Sequence, residues 1–171
     1  MKNKIAIWSP LRYANYGDDL QAIVFAKYIQ SIGYEVKLYQ LEESLSTEFD
    51  LESAETIDEL CRDVNLCIIA GGALLTPFHL PKRILNRSAA EYENDFKDLN
   101  YAIQKYDTKF CAISMGGDGK LRNPSFYYSK HRILFFKSPN FLNGTVRLQG
   151  DVEQMKKFGK DFKYLPDCLL Q

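Results

Sequence analysis

Short, mostly apolar runs alternate along this chain with longer segments in which apolar residues recur every three or four positions. The runs at 4–8, 66–70 and 109–114 are almost continuously apolar, which is typical of strands covered on both faces of a sheet. The segment 20–32 repeats its apolar residues with the period of a helix. Strands that alternate with helices predict an α/β fold, in which a parallel sheet carries helices on both faces.

The pattern predicts the following elements. The strands are at 4–8, 35–39, 66–70, 109–114, 145–148 and 162–165, and the helices at 20–32, 56–63, 95–106, 125–136 and 151–158. Asp18 is predicted to be the N-cap of the first helix, with Gln21 three positions later as in a capping box. Residues 42–53 are predicted to be an acidic surface loop or a frayed helix. Residues 73–94 form a long irregular connection, of the kind that often acts as a lid or binding loop.

Distinctive residues follow four of the predicted strands. The first strand leads into 15–19, the third ends at Gly71 and Gly72, the fourth at Gly116 and Gly117, and the fifth at Arg147. Ligands of parallel sheets bind beyond the carboxyl ends of the strands, at a topological switch point. We therefore expect these four loops to open on one edge of the sheet and to form a binding site there.

Two kinds of anion-binding group occur in these loops. The glycine pairs can present backbone N–H groups to a phosphate or carboxylate, although each pair also fits a tight turn without a ligand. Arg147 can hold such an anion bidentately, or it can form a structural ion pair. Neither glycine pair matches a P-loop or a dinucleotide-binding fingerprint, so the sequence does not support a simple NTPase or an NAD enzyme.

The first loop carries two carboxylates instead. Asp18 and Asp19 argue against phosphate binding at the first helix, because they already occupy the field that attracts anions there. They suit hydrogen bonds to sugar hydroxyls, or a general base that removes a proton from one. The alternative is a helix cap and a solvated first-turn acid. Tyr16, beside Gly17, packs in the protein or stacks on a sugar ring.

Composition narrows the function classes. The chain of 171 residues suits one domain, and its 22 basic and 22 acidic residues give no net charge, which argues against a nucleic-acid partner. No apolar run has the ~18 residues that a membrane helix needs, and the start is too short for a secretory signal, so we expect a cytoplasmic protein. Cys67 and Cys111 lie in apolar strands and are expected to be buried and inert. We expect no metal and no cofactor.

Four ordered motifs resemble those of the polysaccharide pyruvyl transferases. They are N-Y-G-D-D-L at 15–20, N-L-C-I-I-A-G-G-A-L-L at 65–75, S-M-G-G at 114–117, and V-R at 146–147 followed by a helix that ends at Gly159 and by L-P-D at 165–167. In the second motif Asn65 replaces the usual aspartate, and L-Q-G-D follows the arginine where members of the family often carry Asp and Ser. The likeness covers nearly the whole chain.

The resemblance implies a Rossmann-like domain, similar to one half of a glycosyltransferase of the GT-B type. It implies a transferase that moves a pyruvyl group from phosphoenolpyruvate to sugar hydroxyls, forming a ketal during cell-surface polysaccharide biosynthesis. Asp18 or Asp19 would be the base. Asn15, Tyr16 and Gly17 would lie on the acceptor side, and Arg147 with the glycine pairs at 71–72 and 116–117 would bind the donor anion.

Members of this family continue into a second Rossmann-like domain, whereas residues 1–171 form a single domain. We therefore expect a missing C-terminal domain or partner chain to complete the cleft, and whether this chain alone is active stays open. The alternatives are a non-catalytic sugar or nucleotide-sugar binding module, a glycosyltransferase-like half whose donor is a nucleotide sugar, and an assembly partner.

Overall fold

Within the residues that the structure describes, seven strands form one sheet in which each neighbouring pair is parallel. The computed structural model describes residues 3–10, 16–77 and 86–166. The strands are β1 (Lys4–Trp8), β2 (Glu35–Tyr39), β3 (Glu52–Ala54), β4 (Leu66–Ala70), β5 (Lys109–Met115), β6 (Phe141–Val146) and β7 (Lys163–Tyr164). Their spatial order is β3-β2-β1-β4-β5-β6-β7. The predicted α/β class with a Rossmann-like parallel sheet is confirmed.

Helices connect the strands. They are α1 (Tyr16–Ser31), α2 (Glu43–Phe49), α3 (Ile57–Cys61), α4 (Arg87–Tyr106), α5 (Pro124–Tyr127), α6 (Lys130–Lys137) and α7 (Gln149–Lys156). The described residues contain no helix that is both long and apolar enough to cross a membrane.

The sheet has a separate hydrophobic core on each face. The larger core packs α3, α4, α6 and α7 against one face and is rich in aromatic residues such as Trp8, Phe96 and Phe135. The smaller core packs α1 against the other face through Ala22, Ala26 and neighbouring residues. Alternating strand residues reach opposite faces, which is why the buried strands read as continuous apolar runs.

The strand register aligns the carboxyl ends where the candidate site was expected. Ala70 pairs with Ile113, and Met115 pairs with Val146. The residues that follow these strands therefore emerge at one edge of the sheet. The order of strands reverses direction between β1 and β4, which makes this the topological switch point. The prediction that the loops open on a common edge is confirmed for their described residues.

The first helix starts earlier than the sequence predicted. Because α1 begins at Tyr16, Asp18 and Asp19 both lie in its first turn. The prediction that Asp18 is the N-cap is therefore wrong, and with it the capping box to Gln21. The acidic pair still suits its place, since carboxylates are favourable near the positive end of the helix dipole.

The acidic segment 42–53 contains both a helix and a strand that the sequence analysis did not separate. Residues Glu43–Phe49 form α2, and Glu52–Ala54 form β3, which pairs with β2. This edge strand has little apolar content, and its Glu52 forms ion pairs with Lys4 and Lys37. Neighbouring strands, more than its own sequence, therefore define β3.

The bounds of other predicted elements also differ in the structure. Helix α4 begins at Arg87 and not near 95, because Asn86 caps it through the Ala89 N–H at 3.1 Å. The helix predicted at 125–136 is two short helices, α5 and α6. Strand β6 covers Phe141–Val146 in place of 145–148, and the last strand has only two residues. Helix α7 begins at Gln149, two residues early.

Candidate functional site

The two glycine turns predicted to bind a ligand contact each other directly. The Gly116 N–H donates to the Gly72 carbonyl at 2.9 Å, and the Leu75 N–H donates to the Gly116 carbonyl at 2.9 Å. Gly71 and Gly72 have φ values of 65° and 77°, which non-glycine residues adopt only with strain. The turns after β4 and β5 therefore form one continuous surface at the sheet edge.

The first turn of α1 borders this surface through Gln21. Gln21 is buried, and a Cβ atom at Gly71 would lie only 2.7 Å from its Cδ atom. Asp18 is also buried and precedes Gln21 by three positions, so the two side chains share one side of the helix. The structure thus places Asp18 on the side of α1 that meets the glycine turns.

Asp19 lies on a different side of α1. It lines a cavity of about 270 Å³ between α1 and α2, together with Leu20, Ile23, Leu45, Glu48 and Phe49. Burial raises the pKa of Asp19, and the negative charges of Asp18 and Glu42 raise it further. The two predicted catalytic carboxylates therefore have different surroundings.

Arg147 reaches the opposite side of the glycine surface. Its guanidinium group lies against Gly116, where a Cβ atom would be 2.7 Å from Arg147 Nε. The Arg147 N–H donates to the Met115 carbonyl at 3.0 Å, which fixes the start of the β6–α7 connection beside the end of β5. The structure therefore brings together Arg147 and the glycines of both turns, as the sequence predicted.

Asp151 is a buried residue of this region that the sequence analysis did not single out. Its Oδ1 atom accepts the Gly119 N–H at 3.1 Å, and a Cβ atom at Gly117 would lie 2.6 Å from that oxygen. Burial raises the pKa of Asp151, whereas hydrogen bonds from the Gly119 and Gly117 backbone lower it. The carboxylate therefore occupies part of the N–H surface predicted for a phosphate. The sequence offered one indication of a role for Asp151, which is its position in the first turn of α7.

Arg132 supports the same surface from below and was also missed. It is fully buried, and its Nη1 atom donates to the carbonyls of Leu74 at 3.1 Å and Thr76 at 2.9 Å. Tyr128 Oη donates to the intervening Leu75 carbonyl at 2.9 Å. These bonds hold the segment that follows Gly72. Nothing in the local sequence distinguishes Arg132 from the neighbouring basic residues Lys130 and His131.

Some predicted site residues have no described side chain. Asn15 lies outside the described residues. Tyr16 begins α1, but the position of its side chain is not described, and Gly17 is in the first turn. In the part of the chain that the structure describes, no group of three or more His, Cys, Asp or Glu residues is arranged to hold a metal ion.

Comparisons with known proteins do not assign the chain. No protein-family model matches it, and no curated protein matches it closely enough to count as a relative. The class that the fold defines is a Rossmann-like α/β domain with a candidate site at its switch point.

Proposed function

We propose that this domain binds phosphoenolpyruvate and a saccharide acceptor, and that it contributes to transfer of the pyruvyl group to sugar hydroxyls, as in the polysaccharide pyruvyl transferases that its motifs resemble. The proposal places the protein among the transferases of cell-surface polysaccharide biosynthesis. A second domain or partner chain would complete the cleft above the sheet edge.

One observation carries the proposal. The glycine pairs and Arg147 that the motif resemblance selected form a continuous row across the sheet edge, and α1 joins it through Gln21, the residue after the N-Y-G-D-D-L motif. Gln21 lies against Gly71, the two turns are hydrogen-bonded, and Arg147 lies against Gly116. Segments that are far apart in the sequence thus meet at one surface.

The dimensions of this surface at the sheet edge suit one small anion and one hydroxyl. Gln21 lies above the end of β4 and Arg147 above the end of β5, and neighbouring strands are ~4.8 Å apart. A carboxylate or phosphate held by Arg147 would therefore be close to a hydroxyl held beside Asp18. Arg147 would balance the charge of the donor, and Asp18 would accept the hydroxyl proton.

The structure favours Asp18 over Asp19 as this base. Asp18 shares the side of α1 that carries Gln21, whereas Asp19 lines the cavity against α2. A base must be within hydrogen-bond reach of the proton that it removes. Asp19 would then act only through its negative charge.

A non-catalytic sugar-binding module is the second candidate. Asp151 accepts backbone N–H groups of the β5–α5 turn, and the Gly71 and Gly116 N–H groups donate within the sheet edge. Fewer donors then remain for a phosphate. A surface with buried carboxylates and few such donors suits neutral hydroxyl groups.

The test combines binding and turnover. Phosphoenolpyruvate binding is measured by calorimetry, and phosphate release is measured with a galactose-type acceptor. We expect Asp18→Asn to lower turnover by about 100-fold, the range of general base catalysis, without weakening phosphoenolpyruvate binding. Asp19→Asn is the matched control and should change turnover by less than about threefold on the same scale. Arg147→Lys should weaken phosphoenolpyruvate binding.

Two results would contradict this proposal. Saturable sugar binding without any phosphoenolpyruvate binding would favour the sugar-binding module. Equal effects of the Asp18 and Asp19 substitutions would remove the assignment of Asp18 as the base.

A further inference from the structure

Helix α1 carries an exposed row of apolar side chains that the described part of the fold does not cover. Leu20, Val24, Tyr28 and Ile32 follow one another at intervals of four residues, and their exposed fractions are 37%, 47%, 64% and 55%. Residues at this spacing lie one above the other on a helix. Tyr34, just beyond the helix, is exposed as well.

The surroundings of α1 show that Val24, Tyr28 and Ile32 lie on its outer surface, with Leu20 at the edge of the cavity against α2. One side of the helix meets α2, because Lys27 Nζ donates to the Phe49 carbonyl at 3.1 Å and Gln30 Nε2 to the Asp50 carbonyl at 3.2 Å. The opposite side meets the end of β4 through Gln21. Ala22 and Ala26 face the sheet.

The outer surface of α1 also lacks the charges of an ordinary surface helix. Between residues 20 and 34 the sequence has one charged residue, Lys27, and its ammonium group is turned to the Phe49 carbonyl. A surface helix normally carries charged residues opposite its buried face, and a helix that is apolar on all sides is normally buried. The row is therefore a candidate surface for a covering partner.

We propose that the partner is a second copy of this chain, which packs its own α1 row against the first about a twofold axis. A row at intervals of four residues is one ridge of the commonest helix packing, in which matching ridges interlock at a crossing angle of about −50°. An identical helix supplies the matching ridge. The absence of net charge leaves no long-range repulsion between the copies.

The available area fits a dimer of ordinary size. The row and Tyr34 together expose roughly 450 Å² of surface, which is the size of the largest apolar patch on a typical monomer, and such a patch is often functional. A standard interface buries about 800 Å² on each partner, a little over half of it apolar. The row therefore supplies the apolar part of such an interface.

The acidic first turn determines the direction of packing. Parallel helices would bring the Asp18–Asp19 turns of both copies together, whereas antiparallel helices separate them and oppose the helix dipoles. In the antiparallel register Val24 meets Tyr28 of the second copy, and Leu20 meets Ile32 of the second copy. This register leaves the candidate site of each copy open at the sheet edge.

Sedimentation analysis of the purified chain tests the proposal. At about 100 μM, where a dimer of micromolar affinity is saturated, we expect twice the monomer mass. Tyr28→Glu and Val24→Lys should each weaken dimerisation by about 100-fold, as expected for substitutions at the centre of an interface. The double variant should regain much of the affinity, because the introduced lysine of each copy would then face the introduced glutamate of the other.

Leu134→Glu is the matched control, since Leu134 is 58% exposed on α6 at the opposite face of the sheet. It should dimerise like the unchanged chain, and circular dichroism should show that every variant is folded. A monomeric unchanged chain would overturn the proposal. Dimers that resist Tyr28→Glu, or a double variant as weak as the single variants, would overturn it too. None of these results depends on the function proposed above.

Discussion

The buried ion pair between Arg132 and Glu93 gives the sharpest stability prediction. Arg132 is fully buried, and Glu93 has 9% of its side chain exposed. The guanidinium group donates to both carboxylate oxygens, with 3.3 Å between Nε and Oε2, and also to two backbone carbonyls. It also lies over the rings of Tyr92, at 4.9 Å, and Phe96, at 5.1 Å.

We expect Glu93→Gln to cost about 3–5 kcal/mol of the free energy of unfolding, because it leaves a buried guanidinium without its counter-charge. A domain of this size has roughly 5–15 kcal/mol of stability in total. The loss would therefore be a large fraction of the whole. The substitution preserves the size of the side chain, so little of the effect comes from packing.

Urea unfolding followed by circular dichroism measures the change. The midpoint should fall at an unchanged slope, which indicates lower stability without a change in the surface exposed on unfolding. The matched control is Glu91→Gln on the same helix. Glu91 pairs with Arg87 at 2.8 Å, but the Arg87 side chain is 92% exposed, and such pairs contribute roughly 0–1 kcal/mol.

A double substitution separates charge from packing. If the uncompensated charge causes the loss, replacing both Arg132 and Glu93 by Met should cost less than Glu93→Gln alone. Equal losses for Glu93→Gln and Glu91→Gln would refute the reasoning. So would a double Met variant whose loss equals the sum of the losses of Arg132→Met and Glu93→Met, because it would show no coupling between the two groups.

Two further substitutions test the site scaffold. Burial raises the pKa of Tyr128 to about 12. The stability that the protein gains by keeping this phenol protonated is complete below the unfolded pKa of about 10, and it is lost as the pH rises towards the folded pKa. The free energy of unfolding, measured with urea, should fall above pH 10, and in Tyr128→Phe this fall should be smaller by roughly 2 kcal/mol. The same fall in both proteins would contradict this prediction. Gly71→Ala should destabilise the protein more than Gly33→Ala, since both glycines have positive φ but an added Cβ would meet the Gln21 side chain at Gly71 and no atom within 4 Å at Gly33. In a protein that also carries Gln21→Ala, the urea midpoints of Gly71→Ala and Gly33→Ala should be closer together. Equal midpoints for the two glycine variants in the unchanged background would show that the contact with Gln21 is unimportant.

Much of the fold was predictable because the central strands are buried on both faces. Strands β1, β2 and β4 have the boundaries that their apolar patterns predicted, and β5 extends by one residue. The edge strands were predicted poorly, since β3 and β7 gain their conformation from pairing with a neighbour more than from apolar residues of their own. The start of α4 was missed because its first turns are polar and its cap is a single asparagine.

The class of the fold and the loops that meet at the switch point follow from the sequence pattern alone. Strand order and parallel pairing bring carboxyl ends together, so motifs at the ends of strands predict a common edge without any tertiary detail. The glycine turns and Arg147 lie there as expected, and their roles as ligand-binding groups stay predictions.

The internal hydrogen bonds that the polar atoms of this region form depend on the three-dimensional packing. Asp151 accepts N–H groups of the β5–α5 turn, Arg132 holds the carbonyls after Gly72, and Asp18 and Asp19 diverge around α1. Each contact joins residues that are distant in sequence or depends on the rotation of a helix about its axis. The local periodicity of the sequence indicates neither the contacts between distant residues nor the rotation of a helix, because the packing of the whole domain sets both.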